Sequence, residues 1–509
     1  MKKFKKLFAV ILSLAMVLGM SMTAFATTAQ NITTGNLKGT TPSNQDAMKV
    51  QISGVEGTVT YTAYKIIEPK YSNGGFTGYQ WVNGTGKTGD VAFNTSGKPE
   101  GLTNDFITNL AKDTSSLTGV SFTPNQTEMT VGTWMVIVTP TNDNKTVYNP
   151  MVVSVYYQVG GIASETVNAD DDWKLATEGA YAKSTDITNT VDKEIVNTSD
   201  KNAAVGDVIQ FKLKGLIPSY SGQYKSATYT LTDTIVRGLE YVIDVDHPVE
   251  VKVGGTKVDK DVEYEQTNTP ATTLSIAFKQ DYLLKAETAA LDNRNVEITY
   301  YARVTAGAEE SAGENKVKLT YTNKPDSIDD SQEKTVYTYT FGFDGVLEKV
   351  AENEQGAVLP GAVFGLYKTN NNGTLSDQVG ADFTTGNDGK ITFKGLDADV
   401  MYYLKEKAAP AGYTVNETIY TVTFENVKYN NATATYDVKV AGTNGDTFTA
   451  NGLTYGQQAT TRAGVVVNTT ISSLPSTGGI GTTIFTIGGC VIMIAAAALF
   501  FANRRRAAK

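Results

Sequence analysis

Apolar and polar residues alternate strictly through much of this chain, as in "VEITYYARV" (296–304), "KVKLTYTN" (316–323) and "YDVKV" (436–440). On an extended strand every second side chain faces the same side, so such runs form half-buried strands and cannot settle as helices. Turn signals punctuate them at Asn83-Gly84, Asn387-Asp388-Gly389 and Asn444-Gly445-Asp446. Many strands with regular turns and little helical period predict an all-β chain of packed β-sandwiches. One stretch, "TNDFITNLAKD" (103–113), reads as a helical insertion.

The two ends place the chain in a compartment. Four lysines among the first six residues, an apolar core and Ala24-Phe25-Ala26 make a secretory signal over residues 1–26, with cleavage expected before Thr27. At the other end, an apolar run from Ile480 to Ala502 is long enough to span a membrane. It stops at Arg504-Arg505-Arg506, which stay cytoplasmic by the positive-inside rule. The bulk of the chain is therefore exported. Removing the four leading lysines, the three arginines and Lys509 takes the net charge from −9 to −17. So acidic an exterior argues against nucleic-acid binding.

The one cysteine, Cys490, lies in the membrane run, so the exported part has no disulfide. With a single histidine, His247, there is no cluster to ligate a transition metal and no histidine-based hydrolytic pair. Neither a metal nor a cofactor is expected, and an enzyme lacks a catalytic constellation. About 450 exported residues correspond to roughly three domains. Changes of pattern at "EGAYAKSTDITNT" (178–190) and at the polar "TNKPDSIDDSQEK" (322–334) divide them into 27–185, 186–331 and 332–473, followed by a terminal segment 474–509.

Six polar residues break the inside-outside pattern. Lys193 shares a strand face with Ile187, Val191 and Ile195; Asp233 with Tyr229 and Leu231; Asn315 with Val317, Leu319 and Tyr321. The third domain repeats the order: Lys349 follows Phe341, Phe343 and Leu347, Glu406 follows Tyr402 and Leu404, and Asn468 follows Val466. Buried charges are costly unless paired. One reading is two ordinary buried salt bridges, or strand-end residues that reach solvent. The other uses all three groups. Burial lowers a lysine pKa and raises a carboxyl pKa, so a proton can pass to the acid and leave a nucleophilic amine. The acid then polarises the asparagine carbonyl and shuttles protons as ammonia leaves. The product is an intramolecular Lys-Asn isopeptide bond, a staple made without cysteine.

The chain here resembles a known family. "LPGAVFGLY" (359–367) and "YYLKEKAAPAGY" (402–413) are similar to Cna-B-type domains of Gram-positive surface proteins. "AAVGDVIQFKLKGLIPSY" (203–220) and "YTLTDTIVRGL" (229–239) resemble the isopeptide-forming middle domain of backbone pilins. The resemblance implies tandem immunoglobulin-like/Cna-type sandwiches, with isopeptides Lys193-Asn315 (acid Asp233) and Lys349-Asn468 (acid Glu406). "YTAYKII" (61–67) and "VYNPMVVSV" (147–155) look like strands of a pilin N-terminal domain; "GTWMVIVTP" (132–140) there carries no acid, so no staple is expected in it.

"LPSTG", followed by a membrane run and a basic tail, matches the sorting signal of sortase substrates. Its recognition residues are Leu474, Pro475, Thr477 and Gly478, and the sortase passes the Thr477 acyl group to an amine. In backbone pilins that amine is a lysine in a Tyr-Pro-Lys motif between the first two domains. This chain has Tyr181, Ala182 and Lys183 there, which makes Lys183 the candidate acceptor; the other reading is a solvated linker lysine. The implied partners are pilus-polymerising and housekeeping sortases, copies of the chain, ancillary pilins and peptidoglycan. The expected function is the shaft subunit of a covalent pilus. The alternative is a monomeric wall-anchored adhesin or an ancillary pilus subunit.

Overall fold

The computed structural model describes residues 32–470 and 481–506, apart from short stretches at 73–74, 95–97, 142–144, 197–200, 221, 286–293, 326–329 and 353–355. The signal segment 1–26 and the residues Leu474, Pro475, Thr477 and Gly478 lie outside the described residues. The chain forms two compact units, Met1–Thr340 and Phe341–Lys509.

The first unit holds two β-domains. In the N-terminal one, strands β1 (Ile52–Ser53), β2 (Val59–Ser72), β3 (Gly75–Trp81), β4 (Gly132–Pro140), β5 (Thr146–Tyr148), β6 (Met151–Val159) and β7 (Trp173–Glu178) supply the framework. The main sheet runs β7-β6-β4-β2-β3, all antiparallel. Strand β4 lies at its centre and is buried over nearly its whole length, as expected for an apolar strand covered on both faces. The helical insertion forms as α1 (Asn104–Lys112), capped by Thr103, whose hydroxyl accepts the Phe106 N–H at 3.2 Å. The chain leaves this domain through β8 (Ala180–Tyr181) and β9 (Ser184–Asp186).

The middle domain is a sandwich in which alternation is nearly perfect. Strands β10 (Asp192–Ile195), β11 (Val208–Leu216), β12 (Tyr229–Arg237), β13 (Leu239–Val242), β14 (Thr273–Phe278), β15 (Asn295–Val304), β16 (Gly313–Tyr321) and β17 (Asp330–Thr338) build it. One sheet contains β10-β11-β15, with β13 also on β15; the facing sheet contains β14-β12-β16-β17. The apolar inward positions, among them Phe211, Leu213, Leu231, Ile298, Tyr300 and Leu319, make one continuous core. Val147 of β5 packs into that same core, so the two domains share contacts.

Residues 332–338, expected to open the third domain, run instead as part of β17, paired with β16. The compact units divide at Thr340 rather than at 331. The polar composition that reads as a linker belongs to an edge strand: Gln332 and Thr338 are buried while Glu333 and Lys334 face solvent.

In the second unit, β18 (Leu347–Ala351) pairs in parallel with the final strand. Across from this pair lies a meander of β19 (Val363–Asn371), β20 (Tyr402–Ala408), β21 (Ile419–Asn430), β22 (Thr433–Gly442) and β23 (Thr447–Thr454); the final strand is β24 (Gly464–Asn468). The helix α2 (Gly481–Arg506) contains a span, Ile484–Arg504, long and apolar enough to cross a membrane.

Candidate functional site: two buried lysine-acid-asparagine clusters

All six residues that break the pattern are buried: Lys193 is 3% exposed, Asp233 0%, Asn315 0%, Lys349 0%, Glu406 2% and Asn468 1%. The fold brings each set of three together.

In the middle domain the lysine comes from one sheet and the other two residues from the facing one. Lys193 sits on edge strand β10, while Asp233 on β12 and Asn315 on β16 are diagonal neighbours, since Ile235 is the residue directly opposite Asn315. Lys193 Nζ donates to Asp233 Oδ2. The rings of Phe211 and Tyr300, stacked at 14°, flank the amine at 5.3 and 5.7 Å. The other carboxylate oxygen, Oδ1, accepts from the hydroxyls of Tyr241 and Tyr300, each at 2.7 Å. Asn315 Nδ2 donates to the Tyr300 hydroxyl at 2.9 Å. Burial pulls the Lys193 amine down to about 8, against the opposing pull of Asp233.

In the third domain Lys349 and Asn468 come from adjacent parallel strands, two positions apart in register: Lys349 faces Val466, and Asn468 faces Ala351. Glu406 reaches across from β20. Lys349 Nζ donates to Glu406 Oε2 at 3.1 Å and to Asn468 Oδ1. Asn468 Nδ2 donates to Glu406 Oε1 at 2.8 Å, and the Asn416 backbone N–H donates to Glu406 Oε2 at 2.8 Å. The Phe364 ring lies 5.7 Å from the amine. Burial lowers Lys349 to about 8, again opposed by its acid.

Each arrangement buries an amine of lowered basicity against an acid, and the acid is linked to a side-chain amide directly in the third domain and through Tyr300 in the middle one. That is the set of groups an amine-amide condensation needs: nucleophile, proton carrier and electrophile. Reading strand parity alone misses Tyr241, Tyr300 and the Asn416 backbone N–H. A tyrosine on an inward position reads as apolar core, and a loop N–H has no sequence signal.

A variant that retains the lysine but lacks the amide exposes its titration. In the wild-type fold burial lowers Lys349 to about 8 from an ordinary 10.5, and Asn468→Ala is expected to keep that direction. Below pH 8 both states hold the proton; between about 8 and 10.5 the unfolded chain holds more. Stability of this variant is therefore expected to rise with pH across that window, measured by urea unfolding below and above pH 8.

Among the described residues of the N-terminal domain, the buried serine and threonine side chains are Thr85, Thr133, Thr146, Ser154 and Thr177, and no lysine, acid or amide is buried with them. Lys183 lies between β8 and β9, and the N-terminal domain holds the chain on both sides of it. β8 pairs with β1, and β9 pairs with β5. The Lys183 carbonyl accepts from Asn149 N at 3.0 Å, and Ala182 N donates to Ser53 O at 2.8 Å. Proline has no N–H to make that last bond, so alanine at 182 is held by a hydrogen bond where a proline would rely on its ring. The ring of Tyr181 covers Gly54, where a Cβ would meet it at 2.7 Å and φ is +76°. Lys183 is half-buried, and burial draws its amine below the ordinary lysine value.

Known proteins resemble most of the chain. Residues 45–184 match the domain family described as T6 antigen Ig-like domain. Residues 345–457 match a prealbumin-like fold domain of the SpaA type, and residues 466–508 match the LPXTG cell wall anchor motif. The trypsin-resistant surface T6 protein of Streptococcus pyogenes serotype M6 is 24% identical, covering 91% of this chain and 96% of its own length. The solved structure of the T6 backbone pilin of serotype M6 S. pyogenes, 19% identical, superposes with a TM-score of 0.54 over 84% of this chain and 100% of that one. The likeness is one of fold. A T6-type domain first, a prealbumin-like domain later and a wall anchor last describe a surface protein held by the cell wall. The chain thus carries a T6-type Ig-like domain, a SpaA-type prealbumin-like domain and an LPXTG cell wall anchor, the make-up of a wall-anchored surface protein, and it is similar in sequence to the T6 protein and in fold to the T6 backbone pilin.

Proposed function

We propose that the protein is the shaft subunit of a covalent pilus. A pilus-polymerising sortase opens the Thr477-Gly478 bond and passes the Thr477 acyl group to Lys183 of the next copy. A housekeeping sortase finally transfers the polymer to peptidoglycan, and ancillary pilins decorate it. Partial burial of Lys183 favours the neutral amine that this transfer requires.

Within each subunit, Lys193 joins Asn315 and Lys349 joins Asn468. The lysine gives a proton to its acid, the free amine attacks the amide carbon, and the amide nitrogen leaves as ammonia. Asp233 and Glu406 carry the protons. Each reaction occurs once, in the protein's own core.

The observation that best supports this reading is where the clusters fall along the chain. Tension entering at Lys183 meets Lys193, crosses to Asn315, continues to Lys349, crosses to Asn468 and leaves at Thr477. Both sandwiches would be bypassed by covalent bonds. The N-terminal domain hangs outside this path, and among its described residues no lysine, acid or side-chain amide is buried. Cell-wall extract boiled in SDS is expected to give a ladder of covalent multimers. A single wall-linked band without a ladder would assign the chain to the monomeric adhesins instead.

A further inference from the structure

The two acids are not the same length, and the clusters differ accordingly. Glu406 touches both reactants itself, accepting from Lys349 at 3.1 Å and from Asn468 Nδ2 at 2.8 Å. Asp233 is one methylene shorter. It accepts from Lys193, but its bonds among the described residues do not reach Asn315. The Tyr300 hydroxyl stands between them: it donates to Asp233 Oδ1 at 2.7 Å and accepts from Asn315 Nδ2 at 2.9 Å.

We propose that Tyr300 is a catalytic residue of the middle-domain staple, relaying protons between Asp233 and the side-chain amide of Asn315. This rests on the isopeptide reading given above. Lys193 first gives a proton to Asp233, and its free amine then bonds to the Asn315 side-chain carbon. Asp233 hands that proton to the Tyr300 oxygen as Tyr300 gives its own to Nδ2. The acid, ionised again, then takes a second proton from Nζ. The carbon-nitrogen bond breaks and ammonia leaves, so one amide replaces another and the hydroxyl is restored.

Two further observations fit the relay. Asn315 Oδ1 is buried and has no hydrogen-bond partner among the described residues. A half-turn of the amide brings that oxygen to the same hydroxyl, where it can be polarised during attack. Burial, followed by the nearby Asp233 charge, holds the Tyr300 hydroxyl well above its ordinary value, so it stays protonated. A neutral hydroxyl can pass a proton on only by receiving another, as a relay requires.

The test uses the full chain, digested with trypsin at successive times after a pulse of synthesis. Mass spectrometry quantifies the Lys193-Asn315 and Lys349-Asn468 cross-linked peptides from each digest. Tyr300→Phe is expected to slow the first by about a hundredfold or more and to leave the second at the wild-type rate. Tyr241→Phe removes a hydroxyl that touches Asp233 and is expected to retain the first cross-link. Wild-type kinetics in Tyr300→Phe overturn the relay. Equal loss in both phenylalanine variants also overturns it, because the hydroxyls would then only hold Asp233 in place. Should Tyr300→Phe disturb folding, fluorotyrosine incorporated at position 300 keeps the ring and the hydroxyl and decides the matter. A changed rate for the first cross-link is expected, and an unchanged rate counts against the relay. A wild-type digest that lacks the Lys193-Asn315 peptide overturns the isopeptide reading itself, and the relay with it.

Discussion

Asp233→Ala is expected to leave Lys193 and Asn315 unjoined and to bring the middle domain to the edge of unfolding, while the third domain keeps its Lys349-Asn468 bond. Two losses add. Without the carboxylate, the Lys193 amine is an unpaired group in a dry core, and breaking a buried pair costs about 3–5 kcal/mol. Without the bond, a loop of about 120 residues is no longer closed in the unfolded chain, a constraint worth about 5 kcal/mol on chain-entropy estimates. Together these rival the roughly 5–15 kcal/mol by which whole domains are stable. Trypsin should therefore cut within the middle domain of the variant under conditions where the wild-type chain is untouched. The third domain serves as the internal reference, since its acid, lysine and asparagine are unchanged. A cross-linked Lys193-Asn315 peptide in Asp233→Ala would contradict the role given to the acid.

Lys183→Ala is expected to abolish the ladder of SDS-resistant multimers and to leave one wall-linked species. The effect should be all-or-none, because a polymer needs an acceptor on every copy. The substitution should cost little stability. The bonds that fix this segment run through backbone atoms, from Ala182 to Ser53 and from Asn149 to Lys183, and survive loss of the side chain. Loss of the ladder can thus be separated from loss of fold by comparing the thermal unfolding of the two proteins. A ladder that persists in Lys183→Ala would keep the pilus and move the acceptor to another lysine.

Much of this was legible in the sequence because strands have a period of two. Parity alone put Lys193, Asp233 and Asn315 on inward faces, and the sandwich buries all three. It worked even in the apolar run at Val465-Val466-Val467, where the structure buries Val466 and Asn468 and leaves Val465 and Val467 half-covered. What parity cannot convey is function among residues that also serve as core. Tyr300 occupies an inward position with the same pattern as Ile298 or Ala302, and only its hydroxyl contacts set it apart. Edge strands are the other blind spot. β17 is polar on its solvent face and so resembles a linker until its pairing with β16 is seen. The hydrogen bond that fits Ala182 to its place was likewise invisible, since it depends on Ser53, distant in sequence.

The most direct test of the central claim is to map the junction between copies. Multimers cut from SDS gels and digested should yield a branched peptide in which the Thr477 carbonyl is bonded to Lys183 Nζ. Finding that peptide establishes head-to-tail polymerisation along the path that runs through both staples. Finding Thr477 joined only to wall peptide, or to a lysine lying after Asn315, would contradict it, because tension would then miss the middle-domain bond.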